Sequence, residues 1–280
     1  MVAEDPPQTL PEPSPGFTLG VSISDSPDLA RLGLTETHLR MALGEVAHAT
    51  LIAKGRLSYG GHLRDDGYTA FLVNECERYG SRDRPFTGHI PWSVHRRLTV
   101  DDINRHRKAI GLYGSYVFLG PDGQPIEDPT ADRDREAMQV GDREAADSLS
   151  AARHHLTATC DARLVVGGQR TGYQGHMPGV VEETILAVRA RQPVFVAGGF
   201  GGAAGDVVRV LGFDPDNWLG LPDEAARPDL RELADALRET GWFPEANGLR
   251  REQNQQLAIS YRASEIASLV IHGLTNLRSS

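Results

Sequence analysis

Three apolar runs in this chain end in a glycine pair. They are LSYGG at 57–61, LVVGG at 164–168 and VFVAGG at 194–199, and each is followed by a loop and a helical pattern. Short apolar, β-branched runs alternating with helix-length amphipathic segments are the mark of βαβ units, which assemble into a parallel sheet covered by helices on both faces. Glycine at the strand ends then has a use: it lets backbone N–H groups approach a ligand without an intervening Cβ. The chain holds 30 glycines in 280 residues, against about 20 at average usage. Residues 60–67, 167–179 and 198–205 contain thirteen of them, so the surplus belongs to these turns and not to the chain at large.

Along the chain the pattern predicts strands at 17–24, 56–61, 89–94, 114–120, 162–168 and 193–199. Helices are expected after a Thr35 N-cap, over 67–79 with Gly80 as its stop, and at 100–110, 143–159, 179–191 and 203–212. Two more follow, at 228–240, with proline at its start and glycine at its end, and at 252–277. The expected fold is α/β: a Rossmann-like parallel sheet with helices on both faces and a helical C-terminal extension. Residues 1–16 read as a disordered proline-rich leader, 17–220 as the Rossmann-like domain and 221–280 as helices packed on that same domain.

The net charge is −9 and the pI near 5.6, so the overall field repels a phosphate backbone and argues against duplex nucleic acid as a partner. Lys54 and Lys108 are the only lysines, which leaves few candidates for amine catalysis. Cys76 and Cys160 are isolated, which fits a reducing compartment and excludes a cysteine-built zinc site. His62, His89, His95, His106, His154, His155 and His176 form no metal-binding spacing, and no metal or cofactor is expected. No apolar stretch is long enough to span a bilayer and no signal peptide is evident, so a cytoplasmic location is expected. Neither GxGxxG after the first strand nor GxxxxGK[ST] is present, which removes the standard dinucleotide oxidoreductases and P-loop enzymes.

The candidate ligand contacts therefore spread over several strand ends. The first strand ends in Ser22, Ser24 and Asp25, suited to phosphate contacts. The second brings Gly60, Gly61, Arg64 and Gly67, and the fifth brings Gly167, Gly168, Arg170, Tyr173 and Gly175. The sixth brings Gly198, Gly199, Phe200, Gly201 and Gly202. Arginine offers a bidentate fork to phosphate, tyrosine a face for a base or ribose, and helix N-termini partial positive charge. A free nucleotide or a derivative of one suits such a site.

The segment DARLVVGGQRTGYQGHMPGVVEETILAVRARQPVFVAGGFGG, with LSYGGHLRDDGYTAFL and GVSISDSP upstream, resembles the SLOG superfamily of Rossmann-like domains over residues 17–212. The resemblance implies a nucleotide-derived ligand held by the glycine loops and by a turn, here Pro178-Gly179, ahead of a helix that carries glutamate. Some members hydrolyse the N-ribosidic bond of a nucleoside monophosphate; others sense ADP-ribose-like or NAD-related signals in prokaryotic immunity. It further implies a homo-oligomer and leaves an effector protein unnamed. The turn lacks the second glycine and the GT pair of the hydrolase pattern PGGxGTxxE. Three readings remain open: a nucleotide-ligand sensor, a hydrolase using Glu183 or its neighbour Glu182 against an oxocarbenium-like state, and a non-catalytic scaffold. Adjacent helical residues diverge by about 100°, so only one glutamate can face the crevice, and Glu183 is preferred. Either glutamate can instead bind ribose hydroxyls or complement the helix dipole.

Overall fold

The computed structural model describes residues 16–79, 83–131, 137–214 and 227–279. The expectations for residues 1–15, for Gly80 as a helix stop and for a boundary at 220 lie outside the described residues. Six strands form one parallel sheet: β1 (Thr18–Ser24), β2 (Arg56–Gly60), β3 (Phe86–Ile90), β4 (Gly114–Phe118), β5 (Ala162–Gly167) and β6 (Val194–Ala197), in the spatial order β4-β3-β2-β1-β5-β6. The fold is α/β and Rossmann-like.

Between and after the strands run α1 (Glu36–Ile52), α2 (Tyr68–Tyr79), α3 (Trp92–His95), α4 (Val100–Ile110), α5 (Asp142–Ala158), α6 (Gly179–Arg189), α7 (Gly202–Val210), α8 (Pro228–Thr240), α9 (Arg251–Ile259) and α10 (Ala263–Ser279). The two-residue period of the strands divides the core. On β5 and β6, Leu164, Val166, Phe195 and Ala197 pack with α1, α2 and α10. Val165, Val194 and Val196 face the other way, toward α6, α7 and α8. These strands read as continuous apolar runs because both faces are covered.

Local chemistry sets the helix ends. Thr99 accepts a hydrogen bond from the Asp102 N–H at 3.1 Å while Asp102 accepts one from the Thr99 N–H at 3.2 Å, a reciprocal cap that starts α4. Pro228 opens α8 and left-handed Gly241 closes it.

Two expected elements differ in the structure. The third strand occupies Phe86–Ile90 and not 89–94, because Pro91 has no N–H to extend the ladder and instead opens the short α3. The expected helix over 252–277 is two helices. Ser260 is extended between them; its hydroxyl accepts from the Arg262 N–H at 3.2 Å and donates to Glu265 at 2.5 Å, which ends α9 and starts α10. Among the described residues no helix is long and apolar enough to cross a membrane.

Candidate functional site

The sheet order fixes where a crevice opens. From β1 the chain proceeds outward through β2, β3 and β4, then returns over α5 to place β5 on the other side of β1. Connections leaving β1 and β5 therefore diverge, and the gap at their carboxyl ends is where open α/β sheets bind ligands. A cavity of about 380 Å³ lies there. Ile23 and Ser24 of β1 line it, with Gly60, Gly61 and His62 from the β2 turn. Gln169, Tyr173 and Gln174 from the β5–α6 loop and Gly179, Val180 and Glu183 at the start of α6 complete that side. Pro91, Val94, Leu149 and Leu156 supply an apolar wall, and Arg153 of α5 is the cation between the wall and α6.

The polar pole of the cavity is built around α6. Its N-terminus carries no side-chain cap, so its first N–H groups and its dipole favour an anion. The Arg153 guanidinium lies across this end. A Cβ on Gly179 would come within 2.5 Å of its Nη2, and one on Gly175 within 2.7 Å of Nη1, so glycine at both positions makes room for the arginine. Arg153 pairs with Glu182 and stands 3.7 Å from Glu183 Oε1. Both glutamates are buried, and of the two it is Glu183 that lines the cavity. Its Oε2 accepts from the Ser22 hydroxyl and, at 2.9 Å, from Arg163 Nη1. Arginine, glutamate and free helix N–H groups together are suited to hold a phosphate beside a sugar hydroxyl.

The β2 turn forms the opposite lip. Arg64 lines the cavity but is exposed and paired with Asp66 at 3.1 Å. His62 stays neutral more readily than a free histidine, because burial and the nearby Arg64 and Arg97 lower its pKa. Tyr59 packs its ring against Gly61, and burial, Glu183 and Asp25 raise its phenol pKa well above the ordinary value. Gly67 closes the turn through its N–H to the Arg64 carbonyl. Tyr68 donates to Asp25 at 2.7 Å, so this tyrosine and this carboxylate satisfy one another.

Other sequence-predicted contacts sit away from the cavity, for identifiable reasons. Arg170 is buried with its guanidinium on Asp28 at 2.7 Å and on Asp206 at 2.8 Å, and it also donates to the Gly202 carbonyl. Gly198, Gly199, Phe200, Gly201 and Gly202 are all buried. The Gly202 N–H, which a ligand phosphate would need, already donates to Asp28 Oδ2 at 2.7 Å. An internal carboxylate thus occupies the anion position at the start of α7. Gly199 backs onto the Ser260 carbonyl at the end of α9. Gly168 accepts from the Ala203 N–H and makes room for Val180 of α6 and Ala203 of α7, while a Cβ on Gly167 would meet the Ser24 carbonyl of β1, so both serve close packing at the strand end. Pro178 opens α6 behind the cavity lining.

A second cavity, of about 700 Å³, adjoins the first and shares Tyr173 and Gln174 with it. Arg97, Arg143, Gly175 and His176 line it, with His176 bonded to Asp147 at 2.7 Å. Among the described residues no group of three or more His, Cys, Asp or Glu side chains is placed to hold a metal ion.

Sequence reasoning missed Arg153 and Arg163. Arg153 reads as one polar residue on an amphipathic helix, and only the packing of α5 against α6 aims it. Arg163 did carry a signal: it is a charge inside a strand whose neighbours on both sides are buried. A family model described as SLOG cluster2 matches residues 14–262 of the chain. No curated protein matches the sequence.

Proposed function

The chain belongs to the SLOG cluster2 family, a family of nucleotide-related ligand-binding domains, and on that premise we propose that it binds a nucleotide-derived small molecule in the cavity between β1, β2 and α6 and acts as a sensor of it. The observation that carries this reading is the uncapped N-terminus of α6, with the Arg153 guanidinium across it and Glu183 anchored beside it. The ligand phosphate lies against Arg153 and the first N–H groups of α6, and a ribose hydroxyl against Glu183. The base lies against the wall of Pro91, Val94, Leu149 and Leu156. The adjoining cavity, with Arg97 and Arg143 unused by any carboxylate in the described structure, favours a two-part ligand of the ADP-ribose or NAD-related kind over a nucleoside monophosphate. A role in prokaryotic immune signalling, a homo-oligomer and an effector partner are drawn from the family resemblance, and a cytoplasmic location from the sequence.

The second reading, hydrolysis of an N-ribosidic bond, draws on Glu183 lining the same cavity. Incubation of the purified protein with AMP, CMP, NAD and ADP-ribose, with calorimetry for binding and chromatography for products, separates the two. The sensor reading expects ADP-ribose or NAD to bind without release of a base, and Arg153→Met to weaken that binding by about 1.5 to 3 kcal/mol, the worth of a charged hydrogen bond. Base release that disappears in Glu183→Gln makes the protein a hydrolase. No binding of any of the four ligands overturns both.

A further inference from the structure

The bulkiest fully buried side chain among the described residues is an arginine. Arg163 is 0% exposed on β5, between β1 and β6 and beneath α5 and α6. Taking a guanidinium out of water is costly unless its N–H groups find acceptors, and an apolar residue of the same volume commonly serves stability as well or better. Packing alone therefore does not explain this residue. Its contacts do. Nη1 donates to Ser22 Oγ at 3.1 Å and to Glu183 Oε2 at 2.9 Å, and Nη2 donates to Thr157 Oγ1 at 3.0 Å. Ser22 in turn donates to the same Glu183 oxygen. One oxygen of Glu183 is thus gripped from beneath by two donors. The other, Oε1, stands 3.7 Å from Arg153 at the cavity.

We propose that Arg163 is a positioning residue: it touches no ligand, and from beneath the cavity it holds the Glu183 carboxylate in the one orientation that presents Oε1 to a ligand hydroxyl. The inference rests on the reading of the cavity as a nucleotide-ligand site. An arginine reaches along the sheet face toward the carboxyl end with two arms, one on Glu183 and one on Thr157, where a lysine would bring a single ammonium and replace the grip only in part.

A double-mutant cycle tests this. Affinity for ADP-ribose is measured by calorimetry in the full-length wild type, Arg163→Met, Glu183→Gln and the double variant, with Arg163→Lys as the conservative replacement. Loss of one charged hydrogen bond corresponds to about tenfold or more in affinity. Arg163→Met is expected to weaken binding by that factor when Glu183 is present and to have no further effect once it is glutamine, and Arg163→Lys to recover part of the loss. Equal weakening by Arg163→Met in both backgrounds means that it acts through the fold at large, and the proposal falls. If Arg163→Met does not fold, Ser22→Ala takes its place in the same cycle, since it removes the other donor to the gripped oxygen. If the wild type binds one of NAD, AMP or CMP in place of ADP-ribose, that ligand is used in the cycle; if it binds none of the four, it is the reading of the cavity that fails. The positioning role is then decided by the crystal structure of Arg163→Met or Ser22→Ala: Glu183 turned away from its present place supports it, and Glu183 unmoved overturns it.

Discussion

His89 shows how far a single residue can depart from its ordinary chemistry in this core. It is buried on β3, its Nε2 is 2.9 Å from Ser58 Oγ, and its Nδ1 has no partner. Burial first, then the neighbouring His155 and Arg163, pushes its pKa down to about 3. A folded pKa below the unfolded value of about 6.5 means that the unfolded chain binds the extra proton. The contribution to stability is therefore fully present above pH 6.5 and is lost as the pH falls toward 3. Between pH 7 and pH 5 this one group should remove about 2 kcal/mol. Urea unfolding at the two pH values should show that loss in the wild type and a shallower one in His89→Gln; identical slopes would contradict the assignment. Two glycines make a second contrast. A methyl group on Gly179 meets first the guanidinium of Arg153, the far end of a long side chain, whereas one on Gly202, at φ +63°, meets the Gly168 carbonyl. Gly179→Ala should therefore disturb ligand affinity with little change in melting temperature. Gly202→Ala should cost about 2 to 4 kcal/mol of stability, from a left-handed backbone and a backbone clash together. Thermal melts of both, with ligand titration of the first, check this. Glycine in a turn was legible in the sequence; which glycines face a cavity and which face a neighbouring carbonyl was not, because the difference lies in the contacts of a Cβ that is absent.

At the scale of elements, alternation of apolar runs and helices made five of the six strands readable at close to their observed places. The displaced β3 and the break at Ser260 have one cause in common. A backbone that loses its hydrogen-bonding continuity, at Pro91 for want of an N–H and at Ser260 by extension, ends an element inside a run whose side chains would allow it to go on. The third glycine turn was legible as a turn but not in its role, since Asp28 reaches it from the β1–α1 connection, 174 positions away in the chain. α10 lies beyond the family match, which ends at residue 262. Even so, Ile266, Val270 and Leu274 are buried in the core that α1 and the sheet share. Ile266→Ala and Leu274→Ala should each cost about 2 to 5 kcal/mol. If chemical denaturation finds both variants as stable as the wild type, α10 is an appendage and not part of that core.

Over the whole molecule, a net charge of −9 coexists with a group of arginines, Arg64, Arg97, Arg143 and Arg153, along the two adjoining cavities. The attraction for an anion is local, and the wider field opposes a long polyanion. Fluorescence anisotropy with a labelled DNA duplex at 150 mM salt should accordingly show no binding, and binding at that salt would refute this account of the charge. The order of residues alone determined the fold class, and it marked the strand-end turns and the Glu182–Glu183 pair as the places where a ligand site is to be sought. Periodicity and turn chemistry are local properties, and they survive in one dimension. Only the tertiary structure decided that α5 lends Arg153 to the cavity, that Arg163 grips Glu183 from beneath the sheet face, and that Arg170 and the third turn are consumed by Asp28 and Asp206. Those are contacts between elements, set by which faces pack together, and no spacing along the chain encodes them.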